Sequence, residues 1–233
     1  SRNVSSSFSD LWQLGEDCIR ELETEDGLLA SARGELYGCV FGRDSLLSSM
    51  SLLRVYKTTR NPYYASLVRK VLLTQARLQG QAENIESGEE PGKCIHEFRT
   101  SSHEHLTARE REPWYTYDDG TMRNYDSVDA TPLFLIATHR YLAETDDREF
   151  AAIIMPHVHA ALRWITEFGD KNNDGFVDYS FHSDRQGGGL RVQSWMDSTE
   201  SLFFEHNGDT PAYPIAPVEV QAYVYHALSL WSE

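Results

Sequence analysis

The sequence has few cysteines, and they follow no recognisable pattern. Cys18, Cys39 and Cys94 are an odd number, widely spaced, and none belongs to a CxxC pair. Small disulfide-stabilised proteins carry an even and much denser set of cysteines, so a disulfide framework is not expected. A reducing compartment is the simpler setting for this chain, and the expected location is the cytoplasm.

Long apolar runs and an excess of positive charge are also missing. No segment approaches the length of a membrane-spanning helix, and the first residues, SRNVSSSFSD, contain no apolar core of a signal peptide. Lys and Arg number 21 against 36 Asp and Glu, which gives a formal net charge of −15. A chain this acidic is repelled by phosphate backbones and anionic lipids, so neither nucleic acid nor a membrane is expected as a partner.

What the sequence does contain is an apolar core and many aromatic residues. Hydrophobic residues make up 40% of the 233 residues, which is enough for one large domain, and residues 1–233 are expected to form a single domain. Aromatic residues make up 12%, including 5 Trp and 12 Tyr. Such side chains often line carbohydrate sites, although they also fill protein cores.

Apolar residues recur at helical spacing along most of the chain. No convincing run of strands interrupts them, and there is no alternation of strands and helices, so the pattern predicts an all-α fold. The loops between the helices are long and rich in Trp, Tyr, Asp, Glu and Arg, which is typical of functional loops. Seven helical segments are predicted, near 8–26, 46–56, 62–80, 125–142, 148–168, shortly after 197, and 217–231.

The stretch GGGLRVQSWMDSTE, 187–200, presents a candidate catalytic acid. Three glycines interrupt regular structure, and Asp197 follows Trp195 and Met196 directly. Apolar surroundings disfavour an ionised carboxyl and raise its pKa, as a proton donor to a glycosidic oxygen requires. The alternative is that Asp197, or a neighbouring hydroxyl residue, caps the short helix that follows.

An Arg–Asp pair stands immediately before the second predicted helix. Arg43 and Asp44 lie in GRDS and could clamp neighbouring sugar hydroxyls, because together they supply fixed donors and acceptors. The alternative is a salt bridge combined with a helix cap.

A third feature is a stretch of alternating oxygen-bearing side chains that resembles the opening of a calcium-binding loop. Asp170, Asn172, Asp174, Phe176 and Asp178 take the first, third, fifth, seventh and ninth positions of that loop, with Gly175 at the sixth. The twelfth position is Phe181 instead of the bidentate Glu. A structural calcium ion and a polar turn held by Asx hydrogen bonds both remain open, and no other cofactor is expected.

Several segments, taken in order, resemble those of bacterial amylo-α-1,6-glucosidases and related glycogen-debranching glycoside hydrolases. They are FGRDSLL (41–47), GKCIHEFRT (92–100), YDSVDATPLFL (125–135), DGFVDYSFH (174–182), GLRVQSWMDS (189–198) and PVEVQAYVYHAL (217–228). The resemblance implies an (α/α)6 toroid of the six-hairpin glycosidase type, of which this chain would hold the N-terminal half to two-thirds. The missing C-terminal part of the barrel would then be a partner of this chain.

The resemblance also implies an activity, the inverting hydrolysis of the non-reducing-end glucose of an α-linked glucan. Asp197 matches the general acid of the family, whereas the family's general base comes from a later loop and is expected beyond residue 233. Glu205, Asp209 and Glu219 are the late carboxylates of this chain, and none stands in the family's base context. Residues expected to line the sugar pocket are Arg43, Asp44, His96, Glu97, Asp129, Trp195, Glu219 and Gln221.

Three other functions remain open at this stage. The substrate could be a small α-glucoside, as in a trehalase-like hydrolase, since the motifs specify the terminal sugar better than the leaving group. The chain could bind sugar without completing the reaction. A non-catalytic helical-repeat scaffold would require internal repeats, and none is found at the usual repeat lengths.

Overall fold

The computed structural model describes residues 8–196, 198, 201–204 and 206–232. Within these residues the protein is mostly helical with little sheet, as an all-α fold requires. The helices are α1 (Phe8–Leu22), α2 (Gly42–Thr59), α3 (Pro62–Arg77), α4 (Glu104–Thr107), α5 (Ala130–Thr145), α6 (Arg148–Glu167) and α7 (Val218–Trp231). The strands are β1 (Glu23–Thr24), β2 (Gly27–Leu28), β3 (Val40–Phe41), β4 (Glu97–Arg99) and β5 (Met122–Asn124).

The helix boundaries differ from the sequence-based prediction by a few residues in α1, α2 and α3 and more clearly in the later part of the chain. The fifth helix begins at Ala130 and not near 125, because the backbone before it is bonded to other loops: Tyr125 N–H donates to the Ser87 carbonyl and Val128 N–H to the Gln193 carbonyl. The short helix expected after Asp197 falls largely on residues outside those that the structure describes; within them, the Ser201 N–H donates to the Ser198 carbonyl at 3.0 Å, as in a 3₁₀ turn. The structure also has the single turn α4, in a loop for which no helix was predicted.

Two helical hairpins form the body of the fold. In the first, Arg60 ends α2 with a positive φ of 55°, and the Asn61 side chain accepts the Tyr63 N–H to start α3, with Pro62 at the first helical position. In the second, Asp146 ends α5 with φ 49°, and the Asp147 side chain accepts the Phe150 N–H to start α6. The short connections make the helices of each hairpin antiparallel neighbours.

Helices α2 and α5 run parallel, side by side. Arg43 in the first turn of α2 forms an ion pair with Asp129 at the start of α5, and Lys57 near the end of α2 forms one with Glu144 near the end of α5. Every residue of α5 from 130 to 138 is buried, so this helix lies at the centre of the fold. Helices α3 and α6 pack around it through the apolar faces that the sequence predicts.

Helix α7 begins at the same end of the fold as α2 and α5. The Gln221 side chain in its first turns bonds both the N–H and the carbonyl of Val177, a residue shortly beyond the end of α6. Since α6 is antiparallel to α5, that end is where α5 starts. Trp231 at the other end of α7 donates its indole N–H to the Leu135 carbonyl in the body of α5.

A small antiparallel sheet lies at this end, which is called the site end below. Its strand order is β3–β4–β5, with Val40 opposite Phe98 and Phe98 opposite Arg123. Strand β3 runs directly into α2, and β5 is followed by the segment that leads into α5. The sheet therefore fixes where two of the central helices begin.

Candidate active site

The starts of α2 and α5 are joined by a buried ion pair. Arg43 Nη1 lies 2.7 Å from Asp129 Oδ2, and the Ser127 hydroxyl donates to Asp129 Oδ1 at 2.5 Å. Asp129 has no exposed surface, whereas the Arg43 side chain is 13% exposed. Both carboxylate oxygens of Asp129 thus have partners within the protein, and Arg43 is the member of the pair that is exposed to solvent. Asp129, expected to line the pocket, contributes to the site by holding Arg43.

The position of Arg43 depends on its glycine neighbour. Gly42 N–H donates to the His96 carbonyl at 2.8 Å, and a Cβ at residue 42 would stand only 2.0 Å from the Ile95 carbonyl oxygen. Only glycine allows α2 to start this close to the chain that leads into β4. The sequence GRD therefore places the arginine against Asp129.

Asp44 is exposed and lies within the first turn of α2. The N-cap residue is Phe41, whose side chain makes no capping hydrogen bond. The structural alternative for the Arg43–Asp44 pair expected the pair at the mouth of the helix, whereas α2 already includes both residues. The carboxylate that Arg43 is shown to contact comes from the distant residue Asp129.

His96 is buried behind Arg43 and carries no charge at neutral pH. It is 3% exposed, its ring meets the Phe41 ring edge-on at 5.4 Å, and its Nδ1 finds no hydrogen-bond partner within the part of the chain that the structure describes. Burial lowers the pKa of the imidazole to about 3, and the cations of Arg43 and Lys93 add to that effect. A neutral imidazole can donate or accept one hydrogen bond at the site end without adding to its charge.

Glu97, the next residue along, belongs to a different cluster. Its carboxylate pairs with the Arg99 guanidinium and accepts a weak hydrogen bond from the Cys39 thiol at 3.6 Å. Arg99 also donates to the Leu36 carbonyl at 2.6 Å. Burial and the neighbouring Glu97 raise the pKa of the Cys39 thiol, so this cysteine is not a reactive nucleophile. Successive residues in an extended segment point to opposite faces, which explains how His96 and Glu97 separate.

The chain that leads to Asp197 is attached beside Asp129. The Gln193 carbonyl accepts the Val128 N–H at 3.0 Å, and the Gln193 side-chain amide donates to the Ser180 and Leu190 carbonyls. Ser194 is buried, whereas Trp195 is 60% exposed and can stack on a ligand. Asp197 itself, like Glu200 and Glu205, lies outside the described residues.

Helix α7 brings a carboxylate and a phenol to the same region. Glu219 is half-buried in the first turn, and its Oε1 has no hydrogen-bond partner among the described residues. Burial raises the pKa of the Tyr223 phenol, and the nearby carboxylates of Asp129 and Glu219 raise it further, which places Tyr223 close to both. Gln221, by contrast, uses its amide to hold the backbone of Val177.

Comparison with known families identifies the kind of protein to which this arrangement belongs. The family profile for amylo-alpha-1,6-glucosidase matches residues 113–233, just over half of the chain. The chain belongs to this family. No curated protein matches the sequence.

Membership in the amylo-alpha-1,6-glucosidase family indicates a glycosidase of the debranching type, with a glucan as substrate. The matched region includes Asp129 and Glu219 but not Arg43 or His96, which precede it. The structure connects the two parts, because Arg43 from outside the match pairs with Asp129 inside it. Among the residues that the structure describes, no helix is both long and apolar enough to cross a membrane.

Sequence reasoning missed three polar residues that support the candidate site. Ser127 bonds Asp129, and Asp126 forms a buried ion pair with Arg185. Asp126 and Ser127 stand in the YDSVD segment, so their proximity to Asp129 was a usable signal. No sequence signal pointed to Arg185, because only folding brings it to Asp126, which lies 59 residues earlier in the chain.

The calcium-like loop has internal hydrogen bonds that use most of its oxygens. Asp170 accepts the N–H groups of Asp174 and Gly175, and Asp174 accepts the N–H of Phe176. The Asn172 side-chain oxygen also accepts the Asp174 N–H, and the Asp178 carboxylate accepts the Lys171 N–H at 3.0 Å. Within the described ranges no group of three or more His, Cys, Asp and Glu side chains is arranged to hold a metal ion. This geometry is that of the Asx-bonded turn, and calcium binding stays a prediction.

Proposed function

We propose that this chain forms one side of the glucose pocket of an inverting, exo-acting α-glucosidase that removes the α-1,6-linked glucose at a branch point. The observation that carries the proposal is the convergence of three helix starts, those of α2, α5 and α7, at the site end. Arg43, Asp129, Glu219 and the attachment of the chain leading to Asp197 all lie there.

The helix arrangement supports a toroid of the six-hairpin type. Helices α2, α5 and α7 would be members of its inner ring, all beginning at the pocket, and α3 and α6 members of its outer ring. The chain alternates between the two sets as such a fold requires, from α2 to α3, then α5, α6 and α7. In the proposed enzyme, residues 1–233 form one domain of the catalytic type and another part of the barrel closes the ring.

The sugar-binding roles follow from which groups remain accessible. Arg43 is held in place by Asp129 and offers guanidinium N–H donors to the hydroxyls of the terminal glucose, while the exposed Asp44 supplies acceptors. Trp195 provides an exposed ring for stacking on a sugar face. Glu219, half-buried at the start of α7, completes the polar lining, and the buried, neutral His96 stands behind Arg43 without adding charge to the pocket.

Asp197 is the proposed general acid. It follows Gln193 by four positions, a length of chain that spans at most about 14 Å, and Gln193 is bonded to the residue next to Asp129. In the proposed reaction Asp197 transfers its proton to the glycosidic oxygen as the bond from that oxygen to C1 breaks. A water attacks C1 from the opposite face and loses a proton to a second carboxylate, giving β-glucose and a glucan with a free hydroxyl.

The second carboxylate must stand about 6.5–9.5 Å from the first to leave room for the water. We assign this base to a later loop of the family's barrel, outside residues 1–233. Neither late carboxylate among the described residues is assigned this role. Asp209 is exposed and accepts a hydrogen bond from the Asn207 side-chain amide, and Glu219 is expected to bind the sugar.

The test is a hydrolysis assay on the full-length product of the gene that encodes this chain. Isomaltose and a branched α-glucan are supplied, released glucose is measured, and NMR identifies the anomer formed first. Asp197→Asn should lower kcat by about 10²–10⁴-fold, the usual contribution of a general acid. Asp146→Asn, which changes an exposed aspartate at the opposite end of α5, should leave kcat unchanged.

Two results would overturn the proposal. Unchanged glucose release by Asp197→Asn would remove the assigned acid, and initial formation of α-glucose would exclude inversion. A panel of α-linked disaccharides including trehalose defines the preferred leaving group, and a higher kcat/KM for trehalose than for isomaltose would reassign the substrate.

A further inference from the structure

A buried ion pair joins Asp126, three residues before Asp129, to Arg185. Arg185 Nη1 contacts both carboxylate oxygens of Asp126, at 2.8 and 3.0 Å, and the two side chains are 2% and 1% exposed. Asp126 belongs to the segment that leads into α5, and Arg185 to the loop that leads to Asp197. The pair therefore joins the two segments on which the proposed site depends.

The Asp126 carboxylate accepts hydrogen bonds from three residues. Besides Arg185, it accepts the Asn124 side-chain amide at 2.8 Å and the Leu190 backbone N–H at 2.9 Å. Arg185 in turn donates through Nη2 to the Gly188 carbonyl at 2.5 Å. One carboxylate and one guanidinium thus fix both ends of the 185–190 loop.

Glycine is required where this loop passes the pair. A Cβ on Gly189 would lie 2.1 Å from Arg185 Nη2 and 2.3 Å from Asp126 Oδ2, closer than any side chain tolerates. From the opposite side, a Cβ on Gly88 would lie 2.4 Å from Asp126 Oδ1, and its φ of +73° also favours glycine. The glycines of GGGLRVQ therefore allow the loop to close tightly on the ion pair.

The held loop continues directly to the proposed acid. Val192 is buried, the Gln193 carbonyl is bonded to Val128 N–H, and Ser194 is buried before the chain reaches Trp195. The Tyr213 hydroxyl donates to the Arg191 carbonyl at 2.6 Å and holds the loop from its outer side. The backbone that precedes Asp197 is thus attached at successive points, and the ion pair is the first of them.

We propose that Asp126 and Arg185 are positioning residues for acid catalysis: their ion pair sets the backbone that presents Asp197 to the glycosidic oxygen. The inference rests on the proposed function. Buried ion pairs contribute little net stability but can fix a unique geometry, and a displacement of about 1 Å at a reacting group can cost about 100-fold in rate.

The experiment compares two substrates that differ in their need for a proton. The leaving alcohol of isomaltose must be protonated, whereas fluoride leaves α-glucosyl fluoride without general acid catalysis. Both are measured on the full-length protein for wild type, Asp126→Asn, Arg185→Lys and Asp197→Asn. Arg191→Met is the matched control, because it breaks an exposed ion pair with Glu112 in the same loop.

We expect Asp126→Asn and Arg185→Lys to lower kcat on isomaltose by about 10–100-fold, with KM changed less than threefold and kcat on α-glucosyl fluoride changed less than threefold. Arg191→Met should leave both substrates unaffected. Arg185→Lys keeps the positive charge, so it supplies the comparison if Asp126→Asn does not fold.

The outcomes separate the two proposals. If Asp197→Asn loses isomaltose activity selectively but the ion-pair variants lose both substrates equally, the pair is structural and the positioning role is refuted. If Asp197→Asn itself shows no selectivity between the substrates, the assignment of the acid fails, and with it the proposed function.

Discussion

Replacement of His96 by Gln should change how the stability of the protein depends on pH. His96 is buried among Phe41 and the cations of Arg43 and Lys93, and these surroundings lower its pKa to about 3. In the unfolded chain a histidine has a pKa near 6.5. Between these two values the unfolded state binds one proton more than the folded state, so acid favours unfolding.

The size of the effect follows from that difference. Above pH 6.5 the imidazole is neutral in both states, and the residue contributes no pH dependence. Below pH 6.5 the free energy of unfolding falls by about 1.4 kcal/mol for each pH unit until the folded-state pKa is reached. Between pH 7.5 and pH 4.5 the histidine should therefore remove about 2.5 kcal/mol of stability from wild type.

The measurement is urea unfolding followed by helical circular dichroism at pH 7.5, 6.0, 5.0 and 4.5. His96→Gln cannot take up the proton, so the difference in unfolding free energy between variant and wild type should move by about 2.5 kcal/mol in favour of the variant over this range. Carboxylates common to both proteins cancel in the difference. His105→Gln, at an exposed position, serves as the matched control.

Parallel stability curves for His96→Gln and wild type would refute the reasoning. They would show that the folded protein accommodates an imidazolium beside Arg43, which neither the burial of His96 nor the neighbouring cations of Arg43 and Lys93 favour. A pH-dependent difference of the same size in His105→Gln would instead assign the proton uptake to exposed histidines.

Two further predictions concern ion pairs at opposite ends of α5. Arg43→Met should destabilise the protein by about 3–5 kcal/mol, because it leaves the buried Asp129 carboxylate without its cation. The double variant Arg43→Met/Asp129→Asn should lose less stability than the sum of the losses in the two single variants. If urea unfolding shows that the losses add within about 0.5 kcal/mol, the coupling between the two residues is contradicted. Asp147→Ala should cost about 1–2 kcal/mol at pH 7, because Asp147 caps α6 and also bonds Tyr141 and Arg69. The capping N–H of Phe150 lowers the pKa of Asp147, so this cost should shrink as the pH falls below about 4, and a cost as large at pH 3 as at pH 7 would contradict the assignment.

The sequence predicts the long helices well and the site end less well. Periodic apolar faces and local caps, such as Pro62 after Asn61 and Asp147 before Phe150, are short-range signals that remain valid in the fold. The start of α5 is different. The helix begins only at Ala130 because the backbone before it is hydrogen-bonded to the carbonyls of Ser87 and Gln193. Such partners are far away in the sequence, and no local pattern reveals them.

The same distinction applies to the candidate site. Arg43 and Asp129 could be found as members of conspicuous motifs, but that one holds the other could not, since 86 residues separate them. Glu97 and Gln221 stood in equally conspicuous motifs, and the fold uses their side chains to bind Arg99 and Val177. A motif identifies which polar residues matter, whereas burial and partners decide whether a side chain faces a ligand or the protein.

The buried polar groups of the site end lie where one element must be fixed relative to another. Asp129 holds Arg43 of α2 to the start of α5, and Asp126 holds the loop of Arg185 to the segment between β5 and α5. An apolar contact would bury these segments equally well but would tolerate sliding, because hydrophobic burial is not directional. Hydrogen-bonded ion pairs define distance and angle, and hydrolysis at a single glycosidic oxygen requires both. The segment 125–129, which carries both aspartates, therefore fixes the positions of both Arg43, the proposed sugar-binding arginine, and the loop that leads to the proposed acid.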